Sequence, residues 1–403
     1  MGQVNGANGL LAEIERLGAD PARGGYSRHV FAPAELELRE WFTAAARARG
    51  LTVHTDRNAN IWAWLGEPGP NAVVTGSHLD SVPGGGAFDG PLGVVSALAA
   101  LDELRAEGFS PRRPLAVVVF AEEEGGRYGV PCLGSRLLTG AIAPERVLAL
   151  RDGEGDSFAD AARAAGFDTE HLGRDDETLG RIGTFVELHV EQGKGLIHLD
   201  APIAVGSAII AHGRWRFSFA GQGNHAGTTL MDDRRDPMLP AAQLVAAARR
   251  LAASVPQARA TVGRIVPTPG GTNVIASRVD VWLDARVPEP GVVHDLVDRI
   301  AQTAREAAEL EGCTVEVGEE SYEGTAAFDP ALRDELVGLL GDAPVLPTGA
   351  GHDAAVLASH VPTAMLYVRN PSGISHSPEE YAEPADIDHG ARELARVLRR
   401  LAG

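Results

Sequence analysis

In the first third of the chain, apolar residues come in short unbroken runs. The segments "AVVTGS" (72–77) and "PLAVVVFA" (114–121) are β-branched and nearly all apolar, which predicts strands covered on both faces. Between them, "PLGVVSALAALDELRAEG" (91–108) predicts a helix with Pro91 at its first position and Gly108 as its stop. Strand, helix, strand at this spacing predicts a βαβ unit and a parallel sheet. "TFVELHV" (184–190) and "TAMLYV" (363–368) predict further strands, and "DIDHGARELARVLRRLAG" (386–403) a closing helix.

The middle of the chain has a different rhythm. "RWRFSFAG" (214–221) alternates as a half-buried strand does. "PMLPAAQLVAAARRLAASV" (237–255) is helical in pattern. "ATVGRIVP" (260–267) and "NVIASRVDVWLDARV" (273–287) predict two strands around a Pro/Gly turn. "GVVHDLVDRIAQTAREAAELEG" (291–312) is an amphipathic helix and "CTVEVGEE" (313–320) a last strand. The order β-α-β-β-α-β predicts a ferredoxin-like module. It spans about 210–322 and is inserted into a larger α/β domain formed by 1–209 and 323–403.

Length and charge narrow the function. A chain of 403 residues accommodates two or three domains. The formal net charge of -19 disfavours nucleic acid and anionic membrane surfaces, which call for basic patches, and points to a small-molecule substrate. No apolar run approaches the ~18 residues of a membrane span. The start "MGQVNGANGLLAEIERLG" has neither the basic head nor the apolar run of a signal peptide. Two cysteines, Cys132 and Cys313, make no disulfide framework. The expectation is a cytoplasmic protein.

Ligands in open α/β sheets gather at the carboxyl ends of strands, and several strand ends here carry metal-ligand residue types. His78 and Asp80 follow the first strand, and Asp89 closes the glycine-rich loop "PGGGAFDG". Glu122, Glu123 and Glu124 follow "VVVFA", His189 lies within "ELHVEQG", and His376 follows "TAMLYV". Taken singly, a histidine at a strand end is a hydrogen-bonded structural residue and "EEE" a solvated face. Together they supply donors for two ions with a shared Asp, in the mixed nitrogen and oxygen ligation that suits Zn²⁺ or Mn²⁺. Asp80 could orient the His78 imidazole, and a Glu left over beside the ions could act as general base.

The stretches "GSHLDSVPGGGAFDGPLGV" (76–94), "FAEEEGGRYGVPCLGSR" (120–136), "ELHVEQG" (187–193), "GNHAGTTLMDDRRDPM" (223–238), "GGTNVIASRVDVWLDAR" (270–286), "GAGHDA" (349–354) and "SGISHSPEE" (372–380) stand in the order seen in the M20 metallopeptidase clan. The chain most resembles its amidase, hydantoinase and carbamoylase branch, which holds N-carbamoyl-L-amino acid hydrolases, β-ureidopropionases and allantoate amidohydrolases.

The resemblance implies a zinc-peptidase-like catalytic domain with an inserted lid that also forms a homodimer interface. It implies two divalent ions per subunit, Zn²⁺ or Mn²⁺ with Co²⁺ or Ni²⁺ as further candidates. His78, His189 and Asp89 would hold one ion, and Asp89, Glu124 and His376 the other. Glu123 would be the general base, with Asp80 supporting His78 and Gln192 touching substrate near the ions. From the lid, His225, Asn273 and Arg286 would bind the substrate carboxylate or the developing oxyanion, with His225 coming from the partner subunit. In "IIAHGRWRF" (209–217), His212 stands where many members carry a Gln, either as a substrate contact or as a structural residue. The implied activity is hydrolysis of a ureido acid, allantoate or an N-carbamoyl-L-amino acid, with release of ammonia. An N-formyl- or N-acyl-amino acid amidohydrolase and an M20-type peptidase are the alternatives, and a binding protein that has kept the fold is a third.

Overall fold

A computed structural model describes residues 6–403. The described chain divides into two compact units, residues 6–208 with 327–403, and residues 209–326. Among the described residues no helix is long and apolar enough to cross a membrane.

The sheet of the first unit runs, from one edge, Thr52–Thr55, Ile61–Leu65, Leu115–Phe120, Ala72–His78, Ile182–Val190, Thr363–Val368, Ile203–Ile209. Leu115–Phe120, Ala72–His78, Ile182–Val190 and Thr363–Val368 are mutually parallel. The flanking strands are antiparallel, so the sheet is mixed rather than the parallel one the βαβ pattern predicts. All residues of Ala72–His78, Leu115–Phe120 and Thr363–Val368 are buried, as strands covered on both faces must be. The helix Pro91–Ala106 starts at Pro91 and is buried along most of its length. Its Leu98 and Leu101 join Val186, Leu366, Leu394 and Leu398 in one core. Each fully buried aliphatic side chain contributes about 1.5–3 kcal/mol by leaving water.

The second unit has a four-stranded antiparallel sheet in the order Thr314–Glu323, Ala211–Ala220, Arg278–Val287, Arg259–Thr268. Alternation explains its one-sided core. Phe217, Phe219, Val281 and Leu283 pack with Leu244 of the helix Met238–Ala253 and with Leu296 and Ile300 of the helix Val292–Leu310. The stretch 273–287 is two strands rather than the single one its pattern predicts. Val274–Ile275 pairs back with Asn224–His225, and the longer strand starts at Arg278. The two strands are separated at Ala276–Ser277, where Ser277 N–H donates to the Thr268 carbonyl.

Candidate metal centre

His78 ends its strand, and the loop 79–88 returns the chain so that Asp89 stands just before Gly90, the N-cap of the helix Pro91–Ala106. The positive end of that helix favours a carboxylate there. Gly90 has φ +85° and lies against the His78 ring, where an added Cβ would sit 2.4 Å from its Cε1. A side chain at that point would expel the imidazole. The parallel strand Ile182–Val190 lies beside Ala72–His78 and delivers His189. His376 sits in a loop at φ 55°, a left-handed conformation uncommon outside glycine.

The side chains converge. His189 Nε2 lies 3.1 Å and His78 Nε2 3.6 Å from the same oxygen, Asp89 Oδ1. On the other side of that carboxylate, His376 Nε2 lies 3.4 Å from Asp89 Oδ2 and 3.3 Å from Glu124 Oε2. Two potential metal-holding groups result, His78–Asp89–His189 and Asp89–Glu124–His376, which share Asp89. His78 Nε2, His189 Nε2 and Glu124 Oε1 are buried without a hydrogen-bond partner. Orphaned buried polar atoms are costly, and an ion at the His78–Asp89–His189 group would satisfy both imidazole nitrogens. The donor set of imidazoles and carboxylates fits two divalent cations.

A third group, Glu187–His189–His352, is also close enough to hold an ion. It is less available, because the Glu187 oxygens already accept Ser77 Oγ–H at 2.8 Å and Ala354 N–H at 3.2 Å.

Glu123 belongs to none of these groups. It is buried, with Oε2 3.6 Å from His78 Nε2. Asp80 reaches His78 through its main chain. The His78 Nδ1 lies 3.0 Å from the Asp80 carbonyl oxygen and 3.6 Å from its carboxylate. That carboxylate accepts the N–H groups of Glu123 at 3.2 Å and Glu124 at 3.1 Å. Asp80 therefore fixes both the tautomer of one candidate ligand and the turn that carries the glutamates. Gln192 Nε2 donates to Asp89 Oδ2 at 2.7 Å, while its Oε1 is buried without a partner.

Crowded carboxylates set the electrostatics. Burial, reinforced by the Asp89 charge, pushes Glu124 up to about 7. Burial, with Asp353, Glu124 and Glu187 nearby, pushes Glu123 well above the ordinary carboxylate range against the pull of His78. The contact with Asp89 raises His376 to about 9. Metal ligands must be deprotonated, so an ion entering between Asp89, Glu124 and His376 displaces protons. Its affinity is therefore greatest at high pH and is lost as pH falls through about 9 and then about 7. One displaced proton makes this about tenfold per pH unit, and two make it steeper. A chelator-competition titration at several pH values checks this, and a flat profile would remove Glu124 and His376 from the ligand set.

The remaining candidates lie in the unit 209–326, whereas every candidate metal ligand lies in the other unit. His225 is exposed in a two-residue strand paired antiparallel with Val274–Ile275, next to Asn273, whose carbonyl accepts Ala226 N–H. Gly227 N–H donates to His225 Nδ1 at 3.1 Å. An Nδ1 that accepts leaves the proton on Nε2, so His225 presents a donor. Arg286 pairs with Asp284 at 2.8 Å and stands directly across from His212, which in turn stands across from Glu323. His212 Nδ1 faces the Ile210 carbonyl at 3.1 Å.

Several residues at the centre escaped the sequence reading. His352 is buried, its ring centroid 4.4 Å from that of His189 and its Nδ1 3.7 Å from Glu123 Oε1. Asp353, beside it, accepts the Ser135 hydroxyl. Cys132 donates its thiol to Glu123 Oε1 at 3.8 Å. Glu187 and Glu380 are buried carboxylates of the same cluster. A signal existed for two of them, since "GHDA" places a histidine at a helix start and Glu187 is two residues from His189 on the same strand face.

Residues 74–400 match the peptidase family M20/M25/M40. An N-carbamoyl-L-amino acid amidohydrolase of Geobacillus stearothermophilus is 35% identical over 97% of this chain and 97% of its own length. An allantoate amidohydrolase of Escherichia coli K12 is 33% identical, covering 97% of this chain and 96% of its own. The crystal structure of an amidase of the hydantoinase/carbamoylase family from Burkholderia vietnamiensis superimposes with a TM-score of 0.85 at 31% identity, over 98% of this chain and 97% of that one.

Proposed function

Because this chain belongs to the peptidase family M20/M25/M40, we propose that it is a metal-dependent amidohydrolase acting on a carbon–nitrogen bond other than a peptide bond. Its substrate is a ureido acid, an N-carbamoyl-L-amino acid or allantoate, and ammonia is released. The observation that carries this reading is the pair of metal-holding groups that share Asp89, with Glu123 beside them and outside both.

When bound, two divalent ions would polarise the carbonyl and make a water acidic near neutral pH. Glu123 takes the proton of the attacking water. Standing beside both groups and outside them, it then hands the proton to the leaving nitrogen, which departs as ammonia. His225 supplies Nε2–H to the oxyanion, and one such donor is worth about 3 kcal/mol. Gln192 holds Asp89 in place from the substrate side. Arg286, with Asn273 beside the His225 strand and His212 on the neighbouring strand, binds the substrate carboxylate.

The active protein is a homodimer in which His225 serves the partner's metal centre. Its exposure, together with exposed Leu230 and Met231 a few residues on, supports a contact beyond its own unit. Zn²⁺ and Mn²⁺ are the first candidate ions. Two free cysteines and a net charge of -19 accord with a cytoplasmic setting.

A panel of N-carbamoyl, N-formyl and N-acetyl amino acids, allantoate and dipeptides, each with Mn²⁺, Zn²⁺ and Co²⁺, tests the substrate class. The highest kcat/KM should fall on a ureido acid with ammonia as product. Turnover confined to dipeptides or N-acyl amino acids would overturn the reading.

Arg286→Lys should cost far more with ureido acids than with the neutral ureido amides. Lysine keeps the charge and loses the planar fork that pairs with a carboxylate. A hydrogen bond to a charged group contributes about 1.5–3 kcal/mol, or roughly 10–100-fold in kcat/KM. Equal losses on both substrate types would show that Arg286 is not the carboxylate clamp.

A further inference from the structure

Asp89 and His376 are brought together by a residue that belongs to neither metal-holding group. Glu380 is 4% exposed. Its Oε1 accepts the N–H groups of Phe88 at 3.0 Å and of Asp89 at 2.9 Å. Its Oε2 accepts the Ser375 hydroxyl at 2.9 Å. One carboxylate thus ties the backbone that presents Asp89 to the loop that presents His376. The glycine-rich loop is shaped around it, since an added Cβ on Gly86 would lie 2.3 Å from Glu380 Oε1 and 2.4 Å from its Cβ.

Ser375 shows how this tie meets the ion. Its Oγ lies 3.0 Å from Asp89 Oδ2 as well as 2.9 Å from Glu380 Oε2. A hydroxyl has one proton to give, so it cannot satisfy both carboxylates. An ion on Asp89 Oδ2 would release Ser375 to Glu380 alone.

We propose that Glu380 is a positioning residue which, with Ser375, sets the Asp89–His376 pair for the ion held by Asp89, Glu124 and His376. This rests on the dinuclear reading above. That ion draws two of its three ligands from the segments Glu380 joins, whereas the ion held by His78, Asp89 and His189 draws one. Partners behind metal ligands are worth about 10–100-fold in metal affinity or activity.

Glu380→Gln keeps the shape and one acceptor oxygen, but replaces the oxygen that receives Ser375 with an amide. After dialysis against graded chelator, the variant should keep one tight ion under conditions where the wild type keeps two. The other ion should bind about 10–100-fold more weakly. The kcat should fall at limiting metal and recover with excess metal, while KM stays unchanged. Ser375→Ala should shift the same ion by less, and it serves as the second variant if Glu380→Gln does not fold. A purely structural role would lower the melting temperature of the metal-free protein and leave both affinities alone. That outcome, or equal losses at both ions, would overturn the proposal. A wild-type protein that takes up fewer than two ions would instead overturn the dinuclear reading itself.

Discussion

Glu123→Ala should lower kcat by about 10²–10⁴-fold, the usual worth of a positioned general base, while both ions remain bound. The two losses separate because of where the side chain stands. Each metal-holding group is complete without Glu123, yet its carboxylate lies 3.6 Å from His78 Nε2, beside the candidate ions. In the metal-free protein burial pushes its carboxyl upward, and Asp353, Glu124 and Glu187 add to that against the pull of His78. Glu123→Gln, which keeps the volume, should be as inactive, because an amide cannot take the proton of an attacking water. Elemental analysis decides the matter, and a Glu123→Ala protein that has lost both ions would make Glu123 a ligand rather than the base.

His225→Ala should also be nearly inactive, losing about 10²–10³-fold in kcat as other oxyanion donors do. Mixed with Glu123→Ala, it should regain activity. If His225 acts on the partner's centre, a dimer of one subunit of each kind holds one site with both defects and one with neither. Random equal mixing makes about half the dimers mixed, so roughly a quarter of wild-type activity should return. A tagged-subunit pull-down confirms that subunits exchange. Activity at the mutant baseline after confirmed exchange would place His225 in the service of its own chain.

The legible parts of the molecule are those decided locally. A fully apolar, β-branched run such as Leu115–Phe120 reads directly as a covered strand, and Pro91 marks its own helix start. The antiparallel edge was hidden because Ile61–Leu65 acquires its direction from pairing with Leu115–Phe120, which no local pattern encodes. The break before Arg278 was hidden for a similar reason, since Val274–Ile275 finds its partner about fifty residues back, at Asn224–His225.

The centre follows the same division. His78 and Asp89 are linked by a loop short enough to read, strand ends point to Glu124, His189 and His376, and the resemblance supplies how these divide between two ions. Beyond Asp80 and Gln192, the supporting layer is not legible in the sequence. Glu380 reaches Asp89 across 291 residues, and His352 meets Glu123 and His189 only once the helix Asp353–Ala358 is in place. The last glutamate of "SGISHSPEE" looks solvated in sequence, and only its burial and its hydrogen bonds to Phe88, Asp89 and Ser375 reveal its role.

The central claim is that Asp89 joins two ions in one hydrolytic centre. The direct measurement is ammonia release from the best ureido acid as metal is titrated into chelator-stripped protein, with bound metal counted at each point. Activity should be absent in the stripped protein and should reach its plateau at two ions per chain. Full turnover with no metal bound, or a plateau at one ion per chain, would contradict the dinuclear assignment.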